Sequence, residues 1–209
     1  MSTDTHSSKG AATREMILGR ALEMAEAKGL DALTIGTLAE AAGMSKSGLF
    51  AHFGSREDLQ LAVLEVAVRQ FTDEVFVPAL RERRGLPRLR AILSAWIRRT
   101  LRYGEDRGCP IGAAVHEFDD RPGPVRDRVM GYVSHLRQEI GRAVAMAVKQ
   151  GHTRADVDPE QFAFELHGLM LAFHYEVKLV GRTRALPRVE AGVARLLDSI
   201  TAATHSSAR

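Results

Sequence analysis

Residues 34–59 read TIGTLAEAAGMSKSGLFAHFGSREDL. The spacing predicts two short helices, over 35–42 and 46–52, because Thr34 and Ser45 each precede one and both residue types cap helix N-termini well. A glycine-containing turn separates them. Two short helices in this order have the geometry of a helix-turn-helix motif, whose second helix enters a DNA groove. The same spacing occurs in helical bundles that do not bind DNA, so both interpretations stay open at this point.

The rest of the chain has apolar residues at helical spacing, and no sustained alternation of apolar and polar residues. We therefore expect an all-α protein of about nine helices. Proline and glycine mark the expected ends; Pro187, for example, fits the first turn of the last helix. Besides the two short helices, the pattern predicts helices over about 14–28, 56–77, 87–100, 110–118, 125–151 and 159–180, and a last one from 187 onward.

Composition excludes several classes of protein. The 209 residues are 45% hydrophobic and 26% charged, a balance typical of globular proteins. The longest runs without Asp, Glu, Lys or Arg, such as 166–175, are about half as long as a membrane-spanning helix. The N-terminus lacks the apolar segment of a secretory signal, so we expect a cytoplasmic protein. The single cysteine, Cys109, allows neither an internal disulfide nor a cysteine-rich zinc site, and we expect no metal ion and no cofactor.

The string over 34–59 closely resembles the DNA-binding signature of the tetracycline-repressor (TetR) family. The similarity is clear from Arg14 to about Leu64. The resemblance implies a transcriptional regulator that binds a palindromic double-stranded DNA operator as a homodimer. It also implies a repressor that is released by a small, mostly apolar effector. The expected segments are a disordered tail (1–12), a helix-turn-helix domain (13–60), an effector-binding and dimerisation domain (61–203) and a second disordered tail (204–209).

The second short helix carries most of the residues that we expect to contact DNA. Ser45, Lys46 and Ser47 lie in its first turn, from which side chains can reach base edges, and Lys46 is the leading candidate for a base contact. Gly48 either brings the backbone close to the groove or leaves a gap for packing. The family usually has Tyr where this chain has Phe50, and Phe lacks the hydroxyl group that would donate to a phosphate. The resemblance assigns phosphate contacts to Thr34, Phe50, His52 and Arg56, the last in place of a Lys.

The C-terminal part supplies candidates for effector binding and dimerisation. Trp96, Tyr132 and His174 each combine an apolar body with a polar tip that can orient a ligand, although core packing is the more common role of such residues. The helix after Asp158 is apolar on more than one side, which leaves a face for another chain. The expected pocket residues are Phe71, Val75, Leu93, Trp96, Cys109, Val115, Phe118, Tyr132, Leu136, Phe173 and His174. The expected residues of a four-helix dimer interface are Phe162, Leu166, Leu169, Val193, Leu197 and Ile200.

An enzyme is the first alternative function. It would use Cys109 as a thiol nucleophile, or His116 with Glu117, or the pair His167 and His174. No recognisable catalytic sequence surrounds Cys109, and a nucleophilic thiol needs a nearby base. The two histidines of the pair are two helical turns apart and need a third ligand to chelate a metal ion. We therefore expect no catalytic residue.

A helical interaction module that no longer binds DNA is the second alternative. The net charge of the chain is +3, but residues 1–60 hold six Lys or Arg against eight Asp or Glu. Any DNA contact there must come from a few placed cations rather than from a broad basic surface. This charge balance and Phe50 lend slight support to the alternative, and a steep salt dependence of binding would exclude it.

Overall fold

The computed structural model describes residues 4–103 and 107–201. These residues form an all-α structure without strands, and they contain nine helices when 56–79 is counted as one continuous helix. The first helix begins at Asp4 and so takes in most of the segment expected as a disordered tail. The rest of that tail and the tail over 204–209 lie outside the described residues. The helices are α1 (Asp4–Lys28), α2 (Ile35–Ala42), α3 (Lys46–Phe53), α4 (Arg56–Phe71), α5 (Val77–Ala79), α6 (Leu86–Tyr103), α7 (Pro110–Phe118), α8 (Pro124–Lys149), α9 (Pro159–Val180) and α10 (Arg182–Ile200).

The two short helices begin where the sequence predicts. The Thr34 hydroxyl accepts a hydrogen bond from the backbone N–H of Thr37 at 3.0 Å, and the Thr37 hydroxyl accepts one from the Thr34 N–H at 3.1 Å. Ser45 caps α3, because its hydroxyl accepts from the N–H of Gly48 at 3.1 Å. Gly43 ends α2 with a φ of 63°, a left-handed conformation that favours glycine. Local sequence therefore determines both ends of the turn.

The helix predicted over 56–77 continues past its expected end. Thr72–Phe76 form a π-helical segment between α4 and α5, and the backbone N–H of Val77 donates to the carbonyl of Thr72. Pro78 lies in α5, inside the continuous helix, where it removes one backbone N–H donor. Segments of π-helix within α-helices are frequent at functional sites.

The last helix begins five residues before Pro187, so the predicted start is wrong. It starts at Arg182, directly after Gly181, the residue that also ends α9. Pro187 lies inside the helix and removes one backbone N–H donor. Ala185 and Val189, on either side of the proline, are buried in the core. Burial of these two neighbours favours a continuous helix despite the lost hydrogen bond.

The described residues divide into two compact units, each with its own apolar core. The first unit comprises the chain up to Gln70 together with Arg107–Tyr132, and its core joins α1–α4 with α7 and the start of α8. The second comprises the described residues between 71 and 103 and between 133 and 201, with a core from α6, α8, α9 and α10. Arg107–Tyr132, which lies within the segment expected as the C-terminal domain, thus packs with the helix-turn-helix segments. None of the described helices is long and apolar enough to cross a membrane.

Candidate nucleic-acid interface

Helix α3 is anchored on one side and exposed on another. Leu49 and Phe53 are 0% and 5% exposed and belong to the core of the first unit. His52 lies beside Phe53, with ring centroids 6.4 Å apart, and is half-buried. The helix contains no acidic residue, so no negative charge of its own repels a phosphate backbone. Its exposed residues are Lys46, Ser47, Phe50 and Ala51.

The N-cap of α3 uses the hydroxyl group of Ser45 within the protein. This oxygen accepts from the Gly48 N–H at 3.1 Å and lies 3.2 Å from the hydroxyl oxygen of Ser47. A Cβ atom at Gly48 would lie 3.1 Å from the Ser45 oxygen, closer than usual contacts. Glycine at this position therefore preserves the cap, which favours the packing explanation for Gly48.

Lys46 lies against the first turn of α2. A Cβ atom at Gly36 would lie 3.5 Å from Cε and 3.8 Å from Nζ of Lys46, and 3.7 Å from the Thr34 hydroxyl oxygen. The ammonium and the hydroxyl group therefore both lie near the N-terminus of α2. Unpaired backbone N–H groups and the helix dipole favour anions at such an end. This arrangement can bind a phosphate, and Lys46 is also on the exposed side of α3.

Arg56 holds the turn that precedes α2. Its Nε donates to the Leu33 carbonyl at 2.9 Å, and its Nη2 donates to the backbone carbonyl of Asp31 and, at 2.8 Å, to the Asp31 carboxylate. Arg121 pairs with the other oxygen of that carboxylate at 3.0 Å. The hydrogen bond from Arg121 and the charges of both arginines lower the pKa of Asp31 from its usual value. Arg56 is thus engaged within the protein, and its phosphate contact stays a prediction.

Glu117 of α7 supports the same turn, a role that sequence analysis missed. One carboxylate oxygen accepts hydrogen bonds from the backbone N–H groups of Leu30 and Asp31, each at 2.9 Å. Gly29 has a φ of +87°, and a Cβ atom there would lie 1.8 Å from the other oxygen. The turn between α1 and α2 therefore needs both this carboxylate and a glycine. The sequence predicted only that the first helix ends before Gly29, and it did not predict the contact with Glu117.

Two family models match the chain. One, described as bacterial regulatory proteins of the tetR family, matches residues 17–63. The other, described as the tetracyclin repressor-like C-terminal domain, matches residues 85–193, more than half of the chain. The chain belongs to the TetR family. It is a DNA-binding transcriptional regulator with a helix-turn-helix formed by α2 and α3, as the sequence resemblance implied.

Solved structures show the same fold over nearly the whole chain. A TetR-family transcriptional regulator from Streptomyces coelicolor is 21% identical, with a TM-score of 0.79 over 92% of this chain and 97% of that one. A TetR transcriptional regulator from Chloroflexus aurantiacus is 25% identical, with a TM-score of 0.74 over 93% and 99%. AibR, solved with isovaleryl coenzyme A and operator DNA, is 24% identical, with a TM-score of 0.72 over 88% and 98%. No curated protein matches the sequence.

The residues expected to bind an effector in this TetR-family regulator fall in both compact units. In the second unit, Phe71 and Trp96 meet edge to face with ring centroids 5.3 Å apart. Val75 and Leu136 pack in the same cluster. Leu93, Phe173 and His174 also belong to the second unit, whereas Cys109, Val115, Phe118 and Tyr132 belong to the first.

A buried positive charge lies within the aromatic cluster of the second unit. The side chain of Arg99 is 7% exposed, and its Nε lies 3.0 Å from a carboxylate oxygen of Glu74, in the π-helical segment. Its guanidinium stands over the rings of Phe71 and Tyr103, 5.4 and 4.4 Å from their centroids. Burial, with nearby positive charges that include Arg99, lowers the pKa of His174 to about 4. His174 is therefore neutral near pH 7.

Three of the residues expected at the dimer interface are buried within the chain itself. Phe162, Leu166 and Ile200 are 3%, 0% and 4% exposed. Their apolar spacing reflects the core of the second unit, so their side chains offer almost no surface to a partner. Leu169, Val193 and Leu197 are half-buried and pack at the edge of that core.

Helix α9 has an exposed apolar face that the expected interface did not include. Phe164, Tyr175 and Leu179 are 58%, 42% and 77% exposed. They share one side of the helix with Gly168 and Leu171, since helical neighbours lie three or four positions apart. The sequence predicted a second apolar face on this helix, and the structure identifies its residues.

Two of the groups considered for catalysis, Glu117 and His167, form hydrogen bonds within the protein. Cys109 precedes α7 and is half-buried. The carboxylate of Glu117 is bound to backbone N–H groups of the α1–α2 turn. His167 is 6% exposed, and its Nδ1 lies 3.2 Å from Nε of Arg137, which donates to it. This nitrogen is therefore occupied by a cationic donor.

Proposed function

We propose that this regulator is a homodimeric repressor that a small-molecule effector releases from a palindromic operator. The exposed, acid-free face of α3 carries the proposal, because a helix anchored in this way can enter the major groove. The residues that would reach base edges from its start are Ser45, Lys46 and Ser47. The phosphate backbone of the DNA would be contacted by Thr34, His52 and Arg56. AibR, which has a similar fold, was solved in complex with operator DNA, and this supports binding of an operator.

Binding of the purified protein to labelled DNA tests the proposal. Operators can be selected from a random duplex library and compared with scrambled duplexes by fluorescence anisotropy across a salt series. We expect two chains per selected site and a steep loss of affinity with salt, because phosphate contacts release counterions. Equal binding to selected and scrambled DNA, or the absence of enriched sequences, would contradict the proposal. The absence of any salt-dependent binding to DNA would in addition favour the interaction module.

Lys46→Ala tests base reading by the first turn of α3. Loss of a base contact should reduce the difference in binding free energy between selected and scrambled DNA by about 1–3 kcal/mol. Lys149→Ala is the matched control, because Lys149 is exposed at the end of α8 in the second unit. We expect the control to bind as the parent does. An equal loss on both duplexes in Lys46→Ala would assign this residue to a phosphate instead.

The proposed dimer brings the exposed face of α9 against a second copy. Leu169, Val193 and Leu197, which are half-buried at the edge of the core, stay the other predicted contacts. Two reading helices related by a two-fold axis match half-sites about 34–36 Å apart. The exposed apolar side chains of α9 support this interface, since a partner would remove them from water.

The proposed effector site lies in the second unit, around Phe71, Trp96 and His174. An apolar cluster with a neutral His as a polar group is typical of sites for small organic ligands. The isovaleryl coenzyme A bound to AibR supports a small organic ligand. Trp96 is the single tryptophan, so its fluorescence reports on this site alone. A compound that releases operator should also change that emission; release without any change would place the effector elsewhere.

A further inference from the structure

Phe50 is an exposed aromatic residue on the reading helix. It is 55% exposed, although Leu49 directly before it is fully buried. Ala51 beside it is also exposed, and Ser47 lies one turn earlier on the same side. The exposed surface of α3 is therefore polar in its first turn and apolar in its second.

The chemistry of the phenyl ring limits what it can contact on DNA. Phosphate oxygens accept hydrogen bonds, and Phe50 has no donor to offer them. In the major groove, the base edges present hydrogen-bonding groups together with one apolar group, the 5-methyl group of thymine. Alanine and phenylalanine side chains are both suited to this methyl group. An exposed ring and methyl on a helix that enters the major groove thus match a thymine better than a phosphate.

We propose that Phe50, with Ala51 beside it, reads the 5-methyl group of thymine in each operator half-site. The inference rests on the proposed function, since it requires α3 to lie in the major groove. It changes the role of Phe50 from a weakened phosphate contact to a base contact that determines sequence preference. Lys46, four positions earlier, then contacts the neighbouring base or phosphate.

Replacement of thymine by uracil removes only the methyl group and leaves the base pairing unchanged, so it provides a direct test. After operator selection with the full-length protein, each thymine of the selected duplex is replaced singly by uracil. We expect at least one position in each half-site where uracil weakens binding roughly four-fold, the value of one buried methyl group. Uracil in place of thymine outside the two half-sites should not change the affinity.

Phe50→Ala, combined with the uracil substitutions, completes a double-mutant cycle between protein and DNA. Met16→Ala is the matched control. Met16 is also exposed, at 57%, but lies on α1. In Phe50→Ala the uracil penalty should shrink at the same positions, because the ring no longer contacts the methyl group, whereas Met16→Ala should keep the full penalty. Because the Phe50 side chain is exposed, the variant should retain its helical circular dichroism and melting temperature.

The outcomes separate the inference from the proposed function. Enriched operators with no uracil-sensitive thymine, or a uracil penalty that persists undiminished in Phe50→Ala, would overturn the thymine contact and leave the repressor proposal standing. A library without any enriched sequence would overturn both.

Discussion

The carboxylate of Glu117 bonds to two backbone N–H groups in the turn between α1 and α2. Hydrogen bonds to a charged group are worth more than neutral ones, and glutamine would accept these bonds without the charge. We therefore expect Glu117→Gln to lower the free energy of unfolding by about 1–2 kcal/mol. Urea denaturation measures this loss, with Glu190→Gln, on an exposed position of α10, as the control. Equal unfolding of the two variants would mean that the charge of Glu117 contributes nothing to the turn.

Single residues differ in how far the sequence determines their roles. Thr34 and Ser45 were predictable as caps, because each bonds to an N–H three positions later. Arg56 bonds to Asp31, 25 positions away, and Glu117 reaches Leu30 across 87 positions. Such partners depend on the tertiary packing, so the local sequence carries no sign of them.

Among the elements, α10 shows where local rules fail. A proline near a helix start usually marks the first turn, yet α10 begins at Arg182 and includes Pro187. Ala185 and Val189 are buried, and their packing outweighs the missing backbone donor. Likewise, the apolar positions of α9 predicted two faces, but not which residues the chain itself would cover.

The exposed face of α9 gives a direct test of the dimer. We expect Phe164→Lys with Leu179→Lys to give monomers in sedimentation velocity, because charges on an apolar interface oppose its burial. The control is Val77→Lys with Leu80→Lys, which charges two other exposed apolar residues and should leave dimers intact. A charged Leu169 is a less clear test, since its side chain fills the space beside Gly192 within the chain. Dimers that persist in the α9 variant would place the interface on another surface.

At the scale of the molecule, the all-α class and the helix-turn-helix were predictable, because apolar periodicity and capping are local signals. The grouping of segments was not. Along the chain, Arg107–Tyr132 lies between the two segments of the second unit. It nevertheless packs with the first unit, through Phe118 and Val125. Contact between segments so far apart in the chain leaves no periodic trace in either one.

The stability of the whole protein should fall in mild acid because of buried histidines. Burial, with the charge of Arg137, lowers the pKa of His167 from 6.5 to about 4. Between these values the unfolded chain binds a proton that the folded chain does not, so the free energy of unfolding decreases as the pH falls from 6.5 to 4. The full effect of His167 is about 3 kcal/mol. His174, whose pKa burial also lowers to about 4, adds a loss of the same sign.

His167→Gln isolates the contribution of one histidine. Glutamine does not titrate, and its side-chain oxygen can still accept from Arg137, which donates to His167 in the parent. Urea unfolding at several values from about pH 7 to about pH 5 should therefore give a shallower pH dependence in the variant. The two proteins should differ most in slope below the usual pKa of histidine, where only the unfolded parent gains the proton. Parallel curves would mean that His167 titrates alike in both states and would contradict the lowered pKa of this buried histidine.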